Sequence, residues 1–368
     1  MVFTANLGYP RFGANRELKK ALEAYWAGKI SEADLINTGK QLRLKHWQLQ
    51  QNAGIDSIPS NDFSFYDHVL DMTCMIGAIP ERYQALGDAN DFIPYFAMAR
   101  GIQQNGLDIP AMEMTKWFDT NYHYIVPEIN KNQAFRVASN KVIDEYREAK
   151  NAGIQTRPVL LGPVSYLLLS KSTSPDFVPL QALPDLLPVY KQILQKLAEA
   201  GADWIQMDEP CLVKDLNKTA QAAYRTAYHA LSEVSGIRLM LTTYFGDLGD
   251  NLDTALLLPV AGLHVDLVRA PGQIYEIVTR APDDLVLSLG VIDGRNIWRA
   301  DLSEILDRIE PIVEQRGVDR VQVAPSCSLL HVPIDLALET ALDPDLKSWL
   351  SFAVQKMGEL STLGGALS

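Results

Sequence analysis

The runs Pro158-Val159-Leu160-Leu161-Gly162-Pro163 and Trp204-Ile205-Gln206-Met207-Asp208-Glu209-Pro210 flank a helically spaced apolar segment over 187–200 that Gly201 stops. Each run is a short strand that ends at Gly, Pro or carboxylate residues, so strand, helix and strand make a unit with parallel strands. The alternation continues outward. A helix is predicted over 220–234, a strand over 238–243, an element over 253–258 and strands over 263–268 and 285–291, with a helix near 274–279 between these last two. Asp301 and Glu304 are spaced like a capping box and open a helix to 315. A last strand over 320–324 ends at Pro325-Ser326-Cys327, and a closing helix is expected over 344–360.

Toward the N-terminus, residues 5–9 read as a strand broken by Pro10 and Gly13. Asn15 is placed to cap a helix from Arg16, with Leu18 and Leu22 on one face and Gly28 as the stop. A second amphipathic helix covers 31–51. A strand from about 56 ends near Asp62, which either serves chemistry at a strand end or caps the segment 65–70. Residues 71–112 read as irregular, with few strand signals, and 115–124 are aromatic and β-prone. Strands starting near residues 5, 56, 158, 204, 238, 263, 285 and 320 make eight, with an excursion around 71–126. The fold class is α/β with a closed or doubly wound parallel sheet.

With 368 residues, 47% hydrophobic and 21% charged, the chain can bury a large core. Its nearly apolar stretches, 159–169 and 255–265, are interrupted and too short to span a bilayer, and the N-terminus lacks a secretory signal pattern. A cytoplasmic protein without a membrane role is expected. Cys74, Cys211 and Cys327 form no close pair, which argues against a disulfide framework or a zinc knuckle. A net charge of −12 argues against nucleic acid as partner. Against that charge the cluster Arg16, Lys19 and Lys20 stands out, because cations at a helix start are unfavourable unless something anionic is met there. Glu17 offsets only part of it.

Leu7-Gly8-Tyr9-Pro10-Arg11, Arg16-Glu17-Leu18-Lys19-Lys20 and Tyr25-Trp26-Ala27-Gly28 together resemble the opening of cobalamin-independent methionine synthase. Further matches follow in order: Asp62-Phe63 with Tyr66-Asp67, Glu113-Met114-Thr115-Lys116-Trp117-Phe118 with Asn121-Tyr122-His123-Tyr124, Leu161-Gly162-Pro163-Val164, Asp208-Glu209-Pro210, Leu241-Thr242-Thr243-Tyr244-Phe245, and Ser326-Cys327-Ser328-Leu329-Leu330-His331. They span nearly the whole chain and resemble only the N-terminal half of a two-barrel enzyme that methylates homocysteine. The resemblance implies a single (βα)8 TIM-type barrel over 1–368 and a methyltransferase activity incomplete in this chain alone. Its substrate would be 5-methyltetrahydropteroyltriglutamate, bound by Arg16, Glu17, Leu18 and Lys19 and by Lys116, a residue that without the resemblance reads as an ordinary surface lysine. The partner would be the C-terminal barrel of the same enzyme. No catalytic or metal residue is assigned here, because the family's zinc belongs to that missing half; the corresponding positions here are Thr243, Phe245 and Cys327.

Two rival readings come from the residues themselves. Asp208 or Glu209 with Asp266 would supply the two carboxylates of a self-sufficient barrel glycoside hydrolase, although Asp208 and Glu209, being adjacent in a strand, face opposite ways. A single-barrel methyltransferase using zinc through Cys327 would need further ligands, and the six histidines show neither a His-x-His pair nor a His-Glu-x-x-His helix. No Gly-x-Gly-x-x-Gly, Walker or Gly-x-Ser-x-Gly motif is present.

Overall fold

Eight short apolar runs pair into one curled parallel sheet: β1 (Phe3–Thr4), β2 (Ile58–Ser60), β3 (Thr156–Leu161), β4 (Trp204–Asp208), β5 (Arg238–Thr242), β6 (Gly262–Asp266), β7 (Val286–Ile292) and β8 (Val321–Pro325). The computed structural model describes residues 2–104 and 106–367. The strands run in the order β1-β8-β7-β6-β5-β4-β3-β2, all neighbours parallel. Just past β1, Ala5 makes a parallel bridge to Ser57, the residue before β2. There the Ser57 N–H donates to Thr4 O and the Asn6 N–H to Ser57 O.

Helices such as Leu183–Ala200, Lys218–Leu231 and Leu302–Arg316 fill the connections. Both faces of the strands are therefore covered, which is why they read as almost continuous apolar runs. Ile205, Met207, Leu241, Leu263, Val265, Leu287, Leu289, Val321 and Val323 are all fully buried. All eight strands lie within a few residues of their expected positions.

The N-terminal third departs from expectation in detail. The first strand is Phe3–Thr4, not 5–9, because residues 6–9 cross the end of the sheet and give their polar groups to other elements. Helix α1 (Glu17–Trp26) starts after Arg16, which is left-handed at φ 60°, and no side chain caps it, Asn15 included. Helix α2 (Glu32–Asn52) opens on a capping box from Ser31 and Asp34. Helix α3 (His68–Met75) is capped by Asp67, which accepts from the Val69 and Leu70 N–H groups at 2.8 Å, so Asp62 is not the cap.

Residues 71–112 are not irregular. They hold most of α3, the helices Glu81–Gln84 and Phe92–Arg100, and an antiparallel pair Ile102–Gln104 with Leu107–Ile109. Phe92–Arg100 is buried over most of its length, so it lacks the apolar stripe that marks a surface helix, and Pro94 falls in the first turn, where a helix tolerates it. With α1, α2 and α3 it encloses a second core of Leu18, Leu22, Leu35, Leu70, Phe96 and Met98.

Met114–Lys116 and His123–Ile125 form a hairpin of their own, outside the eight-stranded sheet. The closing helix is two helices, Pro344–Ser348 and Ala353–Ala366. Between them Leu350 bridges to Trp298 and the Ser351 N–H donates to Ile297 O, which takes the backbone out of helical geometry.

Candidate functional site

Residues 6–16 cross the C-terminal ends of the strands. The Tyr9 N–H donates to Asp62 Oδ2 at 2.8 Å, Gly8 O accepts from the Leu329 N–H, and Arg11 Nη1 donates to Ser64 O at 2.9 Å. A Cβ on Gly8 would run into the Ser328 side chain, which would have to shift to admit it. After the turn at Gly13, Glu17 Oε2 accepts from the Asn15 N–H at 2.9 Å. Partial burial pushes the Glu17 carboxyl up, but the N–H groups of Glu17 and Asn15 outweigh it and hold the group below the usual range. Arg16, Lys19 and Lys20 are exposed, and Lys19 has only a loose 3.8 Å pair with Glu23. Leu18 is fully buried, so it seats α1 rather than meeting a ligand.

Lys116 is exposed on the hairpin opposite His123. The hairpin's next residues turn inward: Trp117 and Tyr122 line a cavity of about 60 Å³ that Arg11 also lines. The Arg11 guanidinium stands 5.9 Å from the Tyr122 ring, so the N-terminal loop and the hairpin meet over this cavity. The tip of the hairpin is tied down by Asp119, which pairs with Arg269 at 2.5 Å and Arg295 at 2.7 Å.

The cavity also contains Asp62, Asp208, Tyr244, His68 and His331. Asp208 accepts from Gln206 Nε2 at 2.8 Å and from the Tyr244 hydroxyl at 3.1 Å, and burial pushes its carboxyl up to about 7. Burial likewise raises Asp62 to about 7 and lowers His68 to about 3 and His331 to about 4. Asp62 and Asp208 can therefore hold and exchange protons near neutral pH, whereas the two imidazoles stay neutral there. The space suits a water or two, however, and is far below the roughly 300 Å³ at which small-molecule pockets begin.

The carboxylates proposed for hydrolysis do not converge. Glu209 turns away from Asp208, and its Oε2 accepts from the Ser165 N–H at 2.8 Å while its Oε1 accepts from the Tyr228 hydroxyl at 3.2 Å. It thereby closes the N-terminus of the helix Pro163–Leu168, and a Cβ on Gly162 would run into its carboxylate. Asp266 accepts three N–H groups, from Phe245, Val268 and Arg269. Of the three, Asp208 alone faces the cavity.

The zinc positions do not fit a metal either. The Thr243 hydroxyl donates to His264 O at 2.9 Å, and the Phe245 ring packs against Tyr244 and His331. Cys327 is fully buried, and burial raises its thiol well above the ordinary value. Among the described residues no group of three or more His, Cys, Asp or Glu side chains is placed to hold a metal ion.

Sequence reasoning did not single out Arg11, His68, Tyr122, Tyr244 and His331 as a set. The aromatic density of 117–124 was the signal for the hairpin. The rest are brought together only by loops from different strands.

Residues 3–317 match the family described as cobalamin-independent synthase, N-terminal domain. The 5-methyltetrahydropteroyltriglutamate--homocysteine methyltransferase of Rhodopseudomonas palustris (strain TIE-1) is 60% identical over 381 residues, covering 99% of this chain and 48% of the relative. That of Caulobacter vibrioides is 56% identical over 383 residues, covering 100% and 49%. The chain spans about half the length of the curated relatives it matches. In fold it is similar to a putative vitamin-B12 independent methionine synthase from Listeria monocytogenes, with TM-score 0.67, 15% identity and coverage of 100% and 99%. A B12-independent methionine synthase from Shewanella sp. W3-18-1 gives TM-score 0.65 at 13% identity, covering 92% and 89%. Together with the motifs at both ends of the sheet, the match over residues 3–317 shows that this chain belongs to the cobalamin-independent methionine synthase family, as its N-terminal domain.

Proposed function

We propose that this chain is the folate-binding and scaffold half of a cytoplasmic methionine synthase, which transfers a methyl group from 5-methyltetrahydropteroyltriglutamate to homocysteine. The observation that carries the reading is an α1 N-terminus without a side-chain cap, flanked by exposed Arg16, Lys19 and Lys20, with Lys116 on the hairpin that Arg11 of the preceding loop meets. A triglutamate tail carries several carboxylates, and guanidinium, ammonium and helix N–H groups are what carboxylates need. In this scheme Arg16, Lys19 and Lys116 meet the tail. Glu17 fixes the loop through Asn15, and Leu18 anchors α1 in the second core. The fold is a single (βα)8 barrel over 1–368, a reading supported by the Ala5 to Ser57 bridge between the outermost strands of the ladder. Zinc and the activation of homocysteine belong to a C-terminal barrel of the same enzyme, so the chain alone does not turn over.

Calorimetric titration with 5-methyltetrahydrofolate carrying one or three glutamates tests this. The triglutamate is expected to bind more tightly and to weaken with salt. Lys19→Ala and Lys116→Ala should each cost about fivefold to tenfold, the worth of one partly exposed charged contact. Equal affinity for both forms, or no loss in either variant, would remove the tail site.

A further inference from the structure

At the opposite end of the sheet lies a buried charge that folate binding does not use. Arg157, at the start of β3, is 3% exposed. Its Nη2 donates to Gln206 Oε1 at 2.9 Å and to Asn6 O at 3.4 Å, its Nη1 reaches Gln322 Oε1 at 3.4 Å, and its Nε has no partner. Among the described residues its hydrogen-bond partners are amide and carbonyl oxygens, not carboxylates. The Asp208 carboxylate acts on it across Gln206, whose Nε2 donates to that carboxylate. A guanidinium stays protonated in proteins, and a buried charge without a counter-ion is costly.

Arg157 also lines a cavity of about 270 Å³ at the N-terminal ends of the strands. Phe3, Trp204 and Val286 give it apolar walls, and Asp56, Asp203 and Asp319 stand among its lining groups. Asp56 is engaged by Thr4, and Asp203 is paired with Arg238. Asp56, Asp203 and Asp319 line other parts of the wall, where they disfavour a guest with more than one negative charge.

We propose that this cavity binds a small monocarboxylate with an apolar body, whose carboxylate neutralises Arg157 while the body packs against Phe3, Trp204 and Val286. The volume allows it, since a cavity of about 150 Å³ suffices to hold benzene. The site is independent of the folate tail, which lies at the other end of the strands.

Titration of the whole chain with benzoate at fixed ionic strength, with inorganic phosphate as competitor, tests the proposal. Saturable one-to-one benzoate binding that phosphate does not displace is expected. Arg157→Gln should weaken it about tenfold or more, the loss of one charge-assisted hydrogen bond. Phe3→Ala removes an apolar wall at a position that is 51% exposed, so the fold is not at stake, and should weaken benzoate by about threefold or more. If Arg157→Gln does not fold, Phe3→Ala and the phosphate arm decide. Absence of saturable binding, displacement by phosphate, or binding unchanged in the folded variants would overturn the proposal.

Discussion

Asp208 and Glu209 are neighbours with the same kind of side chain, yet the pleat sends one into the cavity beside Tyr244 and the other outward under a helix. Adjacency was visible in the sequence, and so was the opposite facing. What each group meets was not. Burial raises Asp208 from 3.8 to about 7, so the folded chain keeps this proton at pH values where the unfolded chain has lost it. Its contribution to stability is then fully present below about pH 4 and lost as the pH rises through about 7. In Asp208→Asn that loss disappears, so between pH 4 and 7 the urea midpoint of the wild type should fall relative to that of the variant. Parallel pH curves would mean that Asp208 is already ionised in the folded chain.

Among the elements, the helix Pro163–Leu168 and the hairpin over 114–125 are held from outside themselves. Glu209 supplies the acceptor for the first turn of the helix, and Glu209→Ala leaves buried N–H groups unpaired. A loss on the order of 3 kcal/mol is expected in urea denaturation. Burial also raises Glu209 to about 7, so the variant should in addition lose the fall in stability that this group causes between about pH 4.5 and 7. The hairpin contributes Trp117 to the cavity and is tied at its tip by Asp119 to Arg269 and Arg295. Asp119 is 59% exposed, so Asp119→Ala should lower global stability by less than about 1 kcal/mol. Hydrogen exchange over 114–125 should quicken all the same, since the tip is the hairpin's link to the far strands. An unchanged exchange pattern would place the restraint in the Trp117 and Tyr122 packing instead. The hairpin was legible as an aromatic, β-prone segment outside the strand count. Its position was not, because Asp119 meets partners more than a hundred residues away.

At the scale of the whole molecule, the short first strand is secured by side chains as much as by its ladder. Asp56 Oδ2 accepts from the Thr4 N–H at 2.8 Å and from its hydroxyl at 3.0 Å, next to the Ala5 to Ser57 bridge. Asp56→Ala should cost about 1 to 2 kcal/mol by urea denaturation, with faster exchange at residues 3–6 and 57–60. No change in either would show that the bridge stands without it. By itself the sequence determined the eight strand positions, the helices between β3 and β8, and the family, because buried parallel strands and their punctuation leave strong local patterns. It also marked the basic start of α1, since cations at a helix N-terminus contradict the local preference. Only the tertiary structure decided which of several strand-end carboxylates faces the cavity, that Asp67 rather than Asp62 caps α3, that residues 71–112 are largely helical, and that Arg157 is left without a counter-charge. Each of these depends on groups far apart in the chain whose meeting no local periodicity encodes, and the buried helix Phe92–Arg100 has lost the polar face by which it would have been read.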